Sequence, residues 1–188
     1  LRLDGEQPPM PTPLTPTGRV KRPRDATADP ELAALLMELF LDPAEGASIA
    51  LHTLHRTGLL TALVPEFSRV LGRVQRDLYH IYTVDEHTLR AIDKMKALAR
   101  GDVPALELAT GRIAALDDTT RRSLHVALFL HDLGKGYGPG HHERGAELAA
   151  LIGPRLGLSR DEVEQVQLLI RHQADMPLIC LRRDLADP

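Results

Sequence analysis

From Glu31 to the end of the chain, apolar residues recur at helical spacing almost without interruption, and no segment alternates apolar and polar residues as a strand does. Leu32, Leu35, Leu36, Leu39 and Phe40 mark a first helix. Asp42 followed by Pro43 reads as an N-cap with proline at the first helical position, and Gly58 as the stop of that second helix after His55, Arg56 and Thr57. Pro65 opens a further short segment. Thr83 and Glu86 have the spacing of a capping box, in which hydroxyl and carboxylate each satisfy a free backbone amide. The helix they start runs through Ile92, Met95 and Leu98 towards Gly101, with His87 in its first turns. Another helix is predicted over Arg121 to Leu130, ending in the apolar run Val126 to Leu130 just before the glycine-rich stretch Gly134 to Gly140. Ser159 and Glu162 form a second capping box, starting a helix that reaches Arg171 and His172.

The predicted class is all-α, a helical bundle over residues 31–188. Residues 1–30 differ in kind: seven of the 14 prolines fall there, which excludes a helix and predicts an irregular leader or linker. A chain of 188 residues with 43% hydrophobic content suits one domain with such a tail. Leu1 at one end and Asp187-Pro188, directly after a polar motif, at the other read as a segment of a longer polypeptide.

Charge and cysteine content narrow the partners. Formal charge is -3, from 23 Lys+Arg against 26 Asp+Glu, so no global field attracts nucleic acid and none is expected as a partner. No apolar run approaches the ~20 residues of a membrane span. Cys180 is the single cysteine, which excludes an intramolecular disulfide and points to a reducing compartment, the cytoplasm by default.

Candidate chemistry centres on His131-Asp132, where a buried helix meets a mobile loop. Alone, such a dipeptide means only a capped helix end. It has company: His87 lies 44 residues upstream in a helix, His141 follows the glycines, His172 ends a later helix, and Asp184 and Asp187 close the chain. Imidazoles and carboxylates converging from several helices build an open divalent-metal site, with Asp132 able to bridge two ions. Mn²⁺ or Mg²⁺ is favoured, Fe²⁺ or Zn²⁺ also suits the donors, and one or two ions per site are expected. Such an ion acidifies a bound water to hydroxide near neutral pH. Lys135 is expected to hold a phosphate oxygen, which assigns Asp132 and Lys135 the catalytic roles. His52, His55, His80 and His125 receive structural readings, His125 because six residues place it about 240° from His131 around the helix.

A histidine, a later His-Asp pair and a distal aspartate resemble the HD phosphohydrolase superfamily. Gln75-Arg76-Asp77-Leu78-Tyr79-His80-Ile81-Tyr82-Thr83-Val84-Asp85-Glu86-His87-Thr88-Leu89 narrows this: it is similar to the opening of the HD domain of the bifunctional uridylyltransferase/uridylyl-removing enzymes of bacterial nitrogen control. Leu54 to Leu60, Val64 to Phe67 and Arg182 to Pro188 match in the same way. The resemblance implies an HD bundle that hydrolyses the uridylyl group from the PII signalling protein and releases UMP, with His87, His131 and Asp132 as metal ligands and His141, four residues before Gly145, in the next histidine position. It also implies the remaining domains of the parent enzyme as partners, since the nucleotidyltransferase and glutamine-sensing parts have no counterpart here. Two positions depart from the pattern. Counted back from Met176, the family histidine falls on Gln173, with His172 one place earlier, and the distal aspartate is Asp184 or Asp187, Asp187 being favoured. An HD phosphohydrolase acting on a free nucleotide and a non-catalytic metal-binding module remain as alternatives.

Overall fold

The computed structural model describes residues 29–74, 82–138 and 140–182. Over these the chain forms α1 Pro30–Leu41, α2 Glu45–Arg56, α3 Leu59–Leu63, α4 Val84–Arg100, α5 Glu107–Ala114, α6 Asp118–Leu130, α7 His141–Arg155, α8 Arg160–Arg171 and α9 Asp175–Arg182, with 3-10 turns at Pro65–Arg69, Pro104–Leu106 and Leu133–Tyr137. Among the described residues extended pairing is limited to one bridge, Val74 with Thr83, so the all-α expectation holds. The proline-rich stretch 1–28 lies outside the described residues.

Local signals fix most helix ends. Asp29 caps α1 by accepting from the amides of Glu31 and Leu32, and Pro30, assigned above to the leader, is the first helical residue. Asp42 does not start α2. Its amide donates to Glu38 O (2.8 Å), closing α1, while its carboxylate accepts from Ala44 N, and α2 begins only at Glu45. Gly58, at φ +77°, ends α2 as expected, because that left-handed backbone costs a side chain energy that glycine does not spend. Thr83 does precede α4, but its hydroxyl makes no capping bond, and Glu86 instead holds Arg90 (2.8 Å) one turn along. The second box is made in full: Ser159 accepts from Glu162 N, and Glu162 accepts from Ser159 N at 2.7 Å.

Glu162 also takes Arg122 of α6 at 2.9 Å, tying α8 to α6. Burial pushes its carboxyl up, but the Ser159 bonds and Arg122 outweigh this and hold it below the ordinary carboxylate value. Its stabilisation is therefore complete above the unfolded value, ~4.3, and lost as pH falls through the lower folded one. Glu162→Gln is expected to cost about 1 kcal/mol at pH 7 and less in acid, read from urea unfolding at both pH values.

Helix α6 runs through the middle, packed by α1, α4 and α8. Its Phe129 meets Phe40 of α1 at 4.8 Å and Phe67 at 5.1 Å between ring centroids, and all three rings are buried. Burying rings of that size stabilises by about 1.5–3 kcal/mol each, which holds the far end of α6 in one place. His125 is buried on the same helix with Nδ1 against Arg121 O (2.8 Å), and burial lowers its pKa, so it is a neutral packing residue.

Candidate metal centre

The C-terminal end of α6 delivers His131 and Asp132. His131 still has helical backbone and turns its ring back so that Nδ1 donates to Leu128 O at 2.6 Å. That bond fixes the tautomer and leaves the Nε2 lone pair for a cation. Asp132 follows at φ -104°, ψ 0°, buried, and begins the turn Leu133–Tyr137. Its Oδ2 lies 3.3 Å from His131 Nε2, 3.9 Å from His87 Nε2 and 2.8 Å from Lys135 Nζ. Burial alone would raise its pKa, but a hydrogen bond and charge from His131 when that ring is protonated, and the hydrogen bond and charge of Lys135, keep it well below the ordinary carboxylate range.

His87 arrives from the first turn of α4, its ring 5.5 Å from that of His131 between centroids. One ligand atom from each of His87, His131 and Asp132 lies within 4.8 Å of the other two. Two imidazole nitrogens and a carboxylate oxygen at that spacing fit a single divalent ion that keeps positions open for water or substrate.

The turn behind Asp132 is held by close packing. An ideal Cβ on Gly134 would lie 1.9 Å from His141 O and 2.7 Å from Gly145 N. No residue but glycine lets the turn lie against the start of α7 at that distance.

Of the other predicted ligands, His141 and His172 are among the described residues, and neither joins this trio. His141 is the first residue of α7, half-buried, outside the three-residue group. Its pKa is lowered, chiefly by burial and then by His142 and Lys135, so it stands neutral beside the site. His172 caps the end of α8 and faces solvent, where Nδ1 meets Asp175 Oδ2 at 2.7 Å, away from the trio. Gln173 is the residue that turns inward, its Nε2 donating to His131 O at 2.9 Å. One position is about 100° of helix, which accounts for the difference. Asp184 and Asp187 lie outside the described residues, as does His80.

Sequence reasoning gave His52 and His55 structural readings but missed their partners. Both acids come from α4: His52 Nε2 meets Asp93 Oδ2 at 2.8 Å, and His55 Nε2 meets Asp85 Oδ2 at 3.2 Å. The pairs pin α2 against the helix that carries His87. Asp85 and Asp93 sit eight apart, two helical turns on one face, and that spacing was the available signal.

Fold and site together define an all-helical protein with a candidate divalent-metal centre at a helix junction. No protein-family model matches the chain. The chain is 42% identical over 164 residues to the bifunctional uridylyltransferase/uridylyl-removing enzyme of Gluconobacter oxydans, 40% over 163 residues to that of Rhodospirillum rubrum and 38% over 160 residues to that of Azospirillum brasilense. Each match covers 85% of this chain and 17% of the relative. The chain is thus similar to one segment of the bifunctional uridylyltransferase/uridylyl-removing enzymes, and it spans about a sixth of the length of these relatives. Among the described residues no helix is long and apolar enough to cross a membrane.

Proposed function

We propose that this chain, as an HD domain over residues 31–188, carries the uridylyl-removing half of the bifunctional activity: metal-dependent hydrolysis of a phosphodiester that frees UMP from uridylylated PII. The observation that supports it most is the convergence of His87, His131 and Asp132 within 4.8 Å, from two helices far apart in sequence. When bound there, a divalent ion supplies a Lewis acid and an acidified water. His131, locked by Leu128 O, presents Nε2, and Asp132, kept ionised with the help of the Lys135 ammonium, presents a carboxylate oxygen.

Lys135 acts as a fixed positive charge at the same place, holding Asp132 and meeting a phosphate oxygen as charge builds on it. With the uridylyl group taken as a phosphotyrosyl-type ester, water oxygen bonds to phosphorus as the bond from phosphorus to the tyrosyl oxygen breaks, and that oxygen leaves as the hydroxyl after taking a proton. His141, whose pKa burial lowers, is the proposed acceptor of the proton that water gives up. Asp187 is the proposed distal ligand. In this reading the domain works in the cytoplasm, next to the remaining domains of its parent enzyme.

A non-catalytic metal-binding module is the second reading, favoured by one observation: Gln173, a residue that is not a metal ligand, occupies the inward position at the end of α8. The test compares uridylylated PII with a panel of mono-, di- and cyclic nucleotides, each with Mn²⁺ or Mg²⁺. The proposal expects UMP release from the protein ester to exceed turnover of every free nucleotide. Faster turnover of a free nucleotide would replace the substrate, and no metal-stimulated hydrolysis at all would leave the module.

A further inference from the structure

Beside the metal centre an open groove of about 790 Å³ runs along α4, and His87 lines both. That volume is ample for a nucleoside, since small-molecule sites span roughly 300–1,000 Å³. At its metal end stand Tyr82 and Arg90. Arg90 follows His87 by three residues, so it sits on the same face of the helix, roughly 4.5 Å further along the axis.

The Arg90 guanidinium is held in one orientation. Its Nε is bound to Glu86 Oε1 at 2.8 Å, and its carbon lies 4.2 Å from the centre of the Tyr82 ring. The salt bridge occupies one edge and the ring one face. Both side chains remain partly exposed in the groove, next to Ala91 and Leu128, which give that end an apolar floor. A planar cation stacked on an aromatic ring, over apolar surface, is the kind of platform on which nucleobases stack.

We infer that the Tyr82–Arg90 stack is the subsite for the nucleoside of the ester, its pyrimidine ring laid against the stack while the phosphorus sits at the trio. One helical turn separates the two places, the span that a ribose bridges between phosphate and base. The inference rests on the proposed function only in placing the phosphate at the trio. Charge alone does not explain the arrangement, because Glu86 neutralises Arg90 and a bare phosphate would gain little there. The flat surface is what the pair adds.

The test is equilibrium binding, which needs no turnover. Calorimetric titration of the Mn²⁺-loaded chain with UMP and with ribose 5-phosphate isolates the contribution of the base. UMP is expected to bind roughly tenfold more tightly or better, as stacking on one platform warrants. That advantage is expected to disappear in Tyr82→Leu and in Arg90→Lys, which keeps the charge but not the plane, and to persist in Tyr82→Phe. Equal affinity for the two ligands in the unaltered chain, or an undiminished UMP advantage in both variants, overturns the subsite. A merely structural role for the pair would weaken both ligands together and leave their ratio intact, which also overturns it. Absence of hydrolysis with the UMP advantage present would count against the proposed reaction and not against the subsite.

Discussion

Asp132→Asn is expected to abolish tight divalent binding and to lower UMP release by on the order of 10²–10³-fold or more, with helical circular dichroism unchanged. Asparagine keeps the shape of the side chain and can still accept from Lys135 through its amide oxygen. What it removes is the negative charge at the one oxygen that faces His87, His131 and Lys135 together. A neutral amide is a poor ligand for a hard divalent ion beside an ammonium group, so the ion and Lys135 would no longer share a compensating anion. Mn²⁺ affinity read by electron paramagnetic resonance, alongside the rate, separates this from a folding defect. Unchanged affinity in Asp132→Asn would remove Asp132 from the ligand set.

Gly134→Ala is expected to be the most damaging single methyl group that can be added near the site. The new Cβ would meet three backbone atoms of α7, His141 O at 1.9 Å, Gly145 N at 2.7 Å and His141 C at 2.8 Å, and backbone cannot swing aside as a flexible side chain can. The turn Leu133–Tyr137 must therefore lift from α7, at a cost of about 1–3 kcal/mol for overpacking of this kind. Asp132 precedes that turn and Lys135 lies within it, so the loss should reach the metal centre as well as stability. Urea unfolding and Mn²⁺ affinity measured on one sample are expected to fall together. Stability retained with metal binding lost would confine the damage to the site, and both retained would refute the packing argument.

How much of this was legible in the sequence follows from what each signal encodes. Helix positions were readable because periodicity and caps are local: Gly58, Gly101 and the Ser159–Glu162 box stop or start helices where the pattern indicates. Asp42-Pro43 misled because an aspartate before a proline can also finish the preceding helix, and the amide of Asp42 is already committed to Glu38. At the site, His87, His131 and Asp132 were readable as a spaced set, and the structure brings those three together. His172 was drawn in by residue type, whereas direction around α8 decides what faces inward, and there the inward residue is Gln173. The His52–Asp93 and His55–Asp85 pairs were hidden because their partners are supplied by another helix. Gly134 gave no signal of its own beyond belonging to a glycine-rich run.

His87, His131 and Asp132 are proposed to form a working metal centre for removing a uridylyl group. Release of UMP from uridylylated PII by the chain, followed chromatographically with Mn²⁺ present, after chelation, and in His131→Ala, tests this role. Release is expected to depend on the ion, to stop on chelation and to be lost in the variant. Release that continues after chelation, or at full rate in His131→Ala, would contradict it.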